Sequence, residues 1–237
     1  KERYRRRPVQ DLLAVESIHV PELIDEVDII SNVPKLKTIG AVPVSLGLKN
    51  LKGFLLDSEK KLFHNTSLVK CIVDLSRTVK PHVTIIDGII ACEMYEPKET
   101  NLVFAGTDTL AVDVVATAVI GLDPEQIDYL RLAGRKGVGV GTIGDIEILG
   151  CTIDEARTVL VSAPNKVEAF HAMFPEVKLV DGEACTGCTN SLYRSLRLLR
   201  KNGRLDEVKG MTIAIGKNID LSRVDRDTIY LGNCLKE

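Results

Sequence analysis

Hydrophobic residues fall along this chain in short runs that alternate with amphipathic stretches. Val27-Asp28-Ile29-Ile30-Ser31-Asn32-Val33 reads as a buried strand, closed by Pro34. Between Leu62 and Val79 the apolar residues Leu68, Ile72, Leu75 and Val79 recur at helical spacing, and Pro81 ends the pattern. Val83-Thr84-Ile85-Ile86 predicts a strand, with Asp87-Gly88 as its exit turn. Leu102-Val103-Phe104-Ala105 predicts another, turned by Gly106. Asp108 can cap a helix from Thr109 to Ile120, which Gly121 stops. Pro124 suits the first turn of a helix reaching Ala133, and Ile146-Glu147-Ile148-Leu149 predicts a short strand. Strands alternating with helices predict an α/β fold: a mostly parallel sheet flanked by helices on both faces.

The same alternation starts again near Thr158. Val159-Leu160-Val161, Val177 to Val180, Met211 to Ile215 and Thr228 to Leu231 are strand-like. Lys166 to Met173 and Thr189 to Lys201 are helical, the second with Leu192, Leu196 and Leu199 on one side and Asn202-Gly203 at its end. The expected division is therefore an α/β domain over residues 1–157 and a smaller α/β unit over 158–237.

Composition narrows the function. Among 237 residues, 45% are hydrophobic and 27% charged, which suits a folded chain with a sizeable core. Lysine plus arginine number 31 against 33 acidic residues, a net charge of −2, and aromatic residues are 4% with no Trp. Neither a basic field nor stacking platforms are offered to a nucleic acid. No run approaches the roughly eighteen apolar residues of a membrane span. The basic stretch Lys1-Glu2-Arg3-Tyr4-Arg5-Arg6-Arg7 reads as a solvated strand edge or loop. Both termini look cut, with further residues expected after Glu237. A cytoplasmic location is the expectation.

Six cysteines occur, at 71, 92, 151, 185, 188 and 234. Cys71 lies on the apolar side of a helix and reads as a small core residue; Cys92 and Cys151 read as structural. Cys185-Thr186-Gly187-Cys188 sits between a strand and a helix. Two thiols at this spacing can face one centre, and the helix's partial positive end favours thiolate. Cys234, in Gly232-Asn233-Cys234, follows a strand, and in a parallel sheet that end shares a rim with the strand-to-helix loops. Cys185, Cys188 and Cys234 are thus candidate metal ligands. Unrelated surface thiols, a redox disulfide, structural zinc and an iron–sulfur cluster all stay open, the last two needing a fourth ligand.

Lys35, Lys37, Lys49 and Lys52, with Asn50, cluster in two loop-like segments that could hold a carboxylate or phosphate or form a solvated basic rim. Asp108 is most simply an N-cap. Asp113 stands in an otherwise apolar helix, where a bare carboxylate is costly to bury, so it needs a partner, for which one of these lysines is a candidate. Gly139-Val140-Gly141-Thr142-Ile143-Gly144 has the letters of a dinucleotide fingerprint, but it follows a helix and precedes a strand, the reverse of the working context. His19, His64, His82 and His171 are scattered, with no zinc-binding spacing.

Several of these segments resemble the domain-of-unknown-function 362 family from about residue 28 to 150. They are Val33-Pro34-Lys35-Leu36-Lys37-Thr38, Ser45 to Gly53, Thr84-Ile85-Ile86-Asp87-Gly88, Ala105-Gly106-Thr107-Asp108 with Ala111-Val112-Asp113, and Gly121-Leu122-Asp123-Pro124. The family commonly has a His after Lys-x-Lys-Thr, where this chain has Ile39. Many members resemble iron–sulfur proteins. Glu183 to Leu192 is similar to the cluster-binding loop of the nickel–iron hydrogenase small subunit, in which a later Gly-x-Cys, here matched by Gly232-Asn233-Cys234, supplies another ligand. The resemblance implies a 4Fe-4S protein acting in electron transfer or as a redox accessory, serving a redox partner protein. The alternatives are two. One is an enzyme on a small anionic substrate, with Lys49, Asp87 and Asp113 catalytic and Lys35, Lys37 and Asn50 binding. The other is a zinc-bound interaction module.

Overall fold

The computed structural model describes residues 3–39, 42–161, 167–184 and 186–232. The chain forms two compact units, one of Lys1–Thr38 and Val44–Val161, the other of Ile39–Pro43 and Ser162–Glu237.

The first unit opens with an antiparallel pair, β1 (Tyr4–Pro8) and β2 (Ser17–Pro21). The basic run is part of this ribbon: Arg3, Arg5 and Arg7 lie against Glu22 and Asp25. The main sheet follows. β3 (Ser31–Asn32) and β4 (Lys35–Thr38) lie in series along β5 (Val83–Glu93), both parallel to it, with Val33-Pro34 between them. Proline has no N–H for the ladder and breaks the run here. β6 (Glu96–Gly106) pairs antiparallel with β5 along its length.

The parallel expectation is therefore corrected in this unit: the fold is α/β, but the sheet is mixed. Asp87-Gly88 does not end a strand, because β5 continues to Glu93 and turns back through Met94 and Tyr95. Both turn residues have positive φ, 50° and 76°, the conformation that a two-residue hairpin demands. Neither is glycine or asparagine, so no turn signal stands in the sequence. Instead, Met94 is buried at 1% exposure, and its N–H donates to the Thr38 carbonyl and hydroxyl.

Helices α1 (Gly47–Asn50), α2 (Asp57–Thr66), α3 (Leu68–Thr78), α4 (Thr109–Val119) and α5 (Asp128–Arg135) complete the unit. The single helix expected up to Val79 is two, divided at Ser67, whose side chain accepts the Lys70 N–H. Thr84, Ile86 and Gly88 of β5 are buried, on the side where α1 and α4 pack. The opposite side carries the row Lys35, Asp87 and Val103, and Val103 is 58% exposed. Helical cover of both faces is thus not what this sheet shows. Two further expected strands are absent as well. Leu149, in Ile146 to Leu149, is 83% exposed. In the 159–161 stretch, Thr158 and Leu160 donate to the Val119 and Ile120 carbonyls, completing the C-terminal end of α4.

Asp74 of α3 ties the β1–β2 connection to this core. It is fully buried, and its carboxylate accepts the N–H groups of Leu13, Ala14 and Val15 at 2.9, 2.8 and 3.1 Å.

The second unit holds α6 (Val167–Met173), β7 (Lys178–Gly182), α7 (Thr186–Lys201), β8 (Thr212–Gly216) and β9 (Ile229–Leu231). Its three described strands are all parallel, in the order β7-β8-β9. Phe174 and Tyr193 meet edge to face at 5.6 Å among the buried Leu192, Leu196 and Ile213.

Replacing Asp74 by Ala removes the acceptor for three backbone donors. We expect a loss of about 3 kcal/mol in urea unfolding, with the far-ultraviolet spectrum of the folded state retained.

Candidate functional site

The site in the first unit is built around one short helical stretch. α1 runs into a 3-10 turn over Leu51–Phe54, and Leu46, Leu48, Leu51 and Leu55 are each buried to 2% exposure or less. A four-residue helix cannot support itself, so packing and hydrogen bonds must hold it. Asp113 of α4 supplies the bonds: its two carboxylate oxygens accept the Gly47 and Leu48 N–H groups at 2.7 and 2.9 Å. Those are the donors a helix leaves open at its start.

Gly47 is needed here for space. A Cβ would stand 2.7 Å from Thr109 Cγ2 and 2.8 Å from Asp113 Oδ1. Around this contact lies a sealed polar network. Thr84 and Thr109 share a hydroxyl hydrogen bond of 2.8 Å, and Asn32 donates to the Gly47 carbonyl at 3.0 Å. Asn50 in turn donates to Asn32 Oδ1 at 2.9 Å. Asp113 itself is wholly buried. Burial pushes its carboxyl up to about 7, against the downward pull of the two backbone donors. The partner expected for Asp113 was a lysine, and the structure puts backbone amides there instead.

What the stretch presents is cationic. Lys49 is 9% exposed, and among the described residues its nitrogen has no hydrogen-bond or ion-pair partner, yet it is not sealed from water. Burial, then repulsion from Lys52 and Lys37, lowers its pKa to about 7. Lys52, one helical turn further on, places its Nζ 3.0 Å from His64 Nε2. Burial and then Lys60 lower the Lys52 pKa. Burial, then Lys52 and Lys49, lowers that of His64 to about 4, so its ring is neutral at physiological pH and can accept from the ammonium. No carboxylate among the described residues lies within ion-pair distance of Lys49 or Lys52. Cations gathered in partial burial without a counter-ion suit a small anion.

Of the residues proposed from the sequence, Lys49 and Asn50 lie on this stretch and Lys37 is near enough to repel Lys49. Lys35 and Asp87 lie elsewhere, on the exposed row of the sheet. They form an ion pair that holds the Asp87 carboxyl below its ordinary range. His64 and Asn32 were not singled out. Their spacing to Lys52 and Asn50 carries no local pattern, and only packing unites them. Asp108 does cap α4, and its second oxygen also accepts the Val140 N–H at 2.8 Å. Gly139 is pressed on that carboxylate, since a Cβ would fall 2.2 Å from Asp108 Oδ1, so this glycine-rich loop has a packing reason for its composition.

For the cysteines, Cys71 is a fully buried core residue, while Cys92 is half-buried and Cys151 exposed. Cys188 is half-buried in the first turn of α7. Cys185 and Cys234 lie outside the described residues. Among the described residues, no group of three or more His, Cys, Asp or Glu is placed to hold a metal ion. No described helix is long and apolar enough to cross a membrane.

Fold and site together define an α/β protein with a partly buried cationic cluster on a short helical stretch. Residues 1–118 match the family model described as Domain of unknown function (DUF362), and the chain belongs to that family. The match begins earlier than the resemblance drawn from residue 28 and ends inside α4. The thylakoid-associated protein sll1697 of Synechocystis sp. is 30% identical over 124 residues, which is 48% of this chain and 39% of that protein. The chain thus spans well under half the length of this relative. No solved structure matches.

The lowered Lys49 pKa has a testable sign. Between pH 7 and 8.5 the folded amine is losing its proton while the unfolded amine keeps it, so stability rises with pH. With Asp113, also near 7, opposing it weakly, we expect a net gain of about 1 kcal/mol across that window in phosphate-free and carboxylate-free buffers, and a flatter profile for Lys49→Met, from urea titrations at each pH.

Proposed function

We propose that the first unit binds a small anion, a carboxylate or a phosphate, beside Lys49, and that Lys49 exchanges a proton with it. The observation that carries this reading is the pair Lys49 and Lys52 beside the neutral ring of His64, with no carboxylate among the described residues within ion-pair distance of either lysine. An anion offsets the repulsion and supplies the missing counter-charge. As a partly neutral amine near pH 7, Lys49 can take a proton from a bound acid and return it, the range in which general bases work best. Asn50 and Lys37 border the same stretch and would orient the anion. Asp113, turned toward backbone amides, acts as a positioning residue for Lys49.

Because a bound anion favours the charged amine, binding draws a proton from solvent where the free amine is neutral. Calorimetry in buffers of different ionisation enthalpy should show uptake of about one proton at pH 8 and far less at pH 6. Lys49→Ala should lose this uptake and weaken binding. Unchanged binding of every carboxylate and phosphate tested would end the reading.

A second reading concerns the other unit. The register sets Gly182 against Gly216 and Ile215 against Leu231, so β7, β8 and β9 stop on one rim. β7 and β9 are two strand spacings apart, about 10 Å. Cys188 stands in the first turn of the 16-residue α7, whose N-terminal field favours an anionic group. Along the chain, Cys185 follows Gly182 by three residues and Cys234 follows Leu231 by three. This supports an iron–sulfur protein in which Cys185, Cys188 and Cys234 would hold a 4Fe-4S cluster, a carrier of single electrons to a redox partner. A zinc-bound interaction module uses the same thiols. A cytoplasmic location is proposed for either; the Synechocystis relative is named for thylakoid association. Anaerobically purified protein should contain iron and acid-labile sulfide, with both lost in Cys188→Ser. Zinc in place of iron would select the module, and a metal-free protein would reject both.

A further inference from the structure

We infer that Lys49 is a nucleophile toward carbonyl compounds, and that the anion its site takes is a small oxo-acid, with which Lys49 forms a Schiff base. The inference rests on the anion reading above and names its substrate class. Its basis is how the cations divide the work. Lys52 has a partner: its ammonium lies 3.0 Å from the His64 ring, so its orientation is set and its charge is available to a carboxylate. Lys49 has none. It is 9% exposed, its nitrogen reaches water, and no described carboxylate or carbonyl holds it. A site that only neutralises an anion gains little from a second lysine kept partnerless and crowded by Lys52 and Lys37. A site that needs an uncharged amine gains from both features, because desolvation beside another cation frees the nitrogen lone pair.

The spacing suits such a substrate. Lys49 and Lys52 are one turn apart on one helical face, the spacing at which two side chains can contact one small molecule. The Lys49 nitrogen attacks the substrate's carbonyl carbon, forming the C–N bond, and the carbonyl oxygen takes up a proton to give a carbinolamine. The C–O bond then breaks, water departs with a second proton, and a C=N bond to Lys49 remains. No oxidant or reductant is consumed. The two N–H protons of the neutral Lys49 amine pass to the carbonyl oxygen, one at each step, and leave with it as water, while His64 holds the Lys52 ammonium in place.

The test is reductive trapping. Intact protein at pH 7.5 is incubated with pyruvate or glyoxylate and sodium cyanoborohydride, then digested and mapped by mass spectrometry. The expected result is a single reduced adduct on Lys49. It should be lost in Lys49→Arg, kept in Lys80→Arg, and lowered about tenfold at subsaturating pyruvate in Lys52→Met. Circular dichroism melts of each variant establish that it is folded. Adducts scattered over surface lysines, or unchanged labelling in Lys49→Arg, overturn the inference. If pyruvate binds by calorimetry with proton uptake but leaves no adduct, the Schiff base falls and the anion site stands. If neither pyruvate nor phosphate binds at all, both fall together.

Discussion

The site depends on one buried contact, the carboxylate of Asp113 against the Gly47 and Leu48 amides. α1 is too short to form alone, and its first turn is completed by an acceptor from another helix. Because Gly47 has no side chain, the backbone can come close enough for both oxygens to be used. The buried leucines on either side then fix the rotation of the stretch. That rotation decides where the Lys49 and Lys52 amines go. Asn32 and Asn50 extend the same bonding to the sheet, so β3, β5, α1 and α4 share one polar core. A partly satisfied network of this kind would be costly; a satisfied one specifies a single arrangement.

On that support the molecule holds charges in an unfavourable place. Lys49 and Lys52 are crowded, partly desolvated and, among the described residues, without acid partners, while several acids elsewhere in the unit are paired: Asp87 with Lys35, Asp25 with Arg5 and Arg7, Glu93 with Lys98. Stability is thus given up at the helical stretch and recovered in ordinary packing around it. Such an imbalance is characteristic of functional sites. The second unit differs in kind. Its sheet is wholly parallel, and its chemistry would lie on the rim where strands give way to loops.

Much of the fold was legible from pattern. The helix from Thr109, its Asp108 cap and the alternation of β7, α7, β8 and β9 follow from periodicity and from residues that act locally. The misread places share a cause. Met94-Tyr95 turns the chain without turn residues because Met94 is drawn into the core and its N–H is taken by Thr38. The 159–161 stretch has strand composition, yet Leu160 and the preceding Thr158 bond to a helix end, because the α4 carbonyls needed donors. In both, long-range contacts overruled local preference.

The candidate site divides the same way. A lone carboxylate in an apolar helix marks Asp113 in the sequence alone, since burying it requires compensation, and the lysines near Asn50 are conspicuous by composition. Which group compensates Asp113 was decided only by the tertiary structure, because every residue except proline carries a backbone N–H and no letter singles out Gly47 and Leu48. The meeting of Lys52 with His64, and the isolation of Lys49 from every described carboxylate, were likewise decided by packing. Charge balance along a chain is a sum over letters, whereas the field at one nitrogen depends on distance and on the water that folding removes.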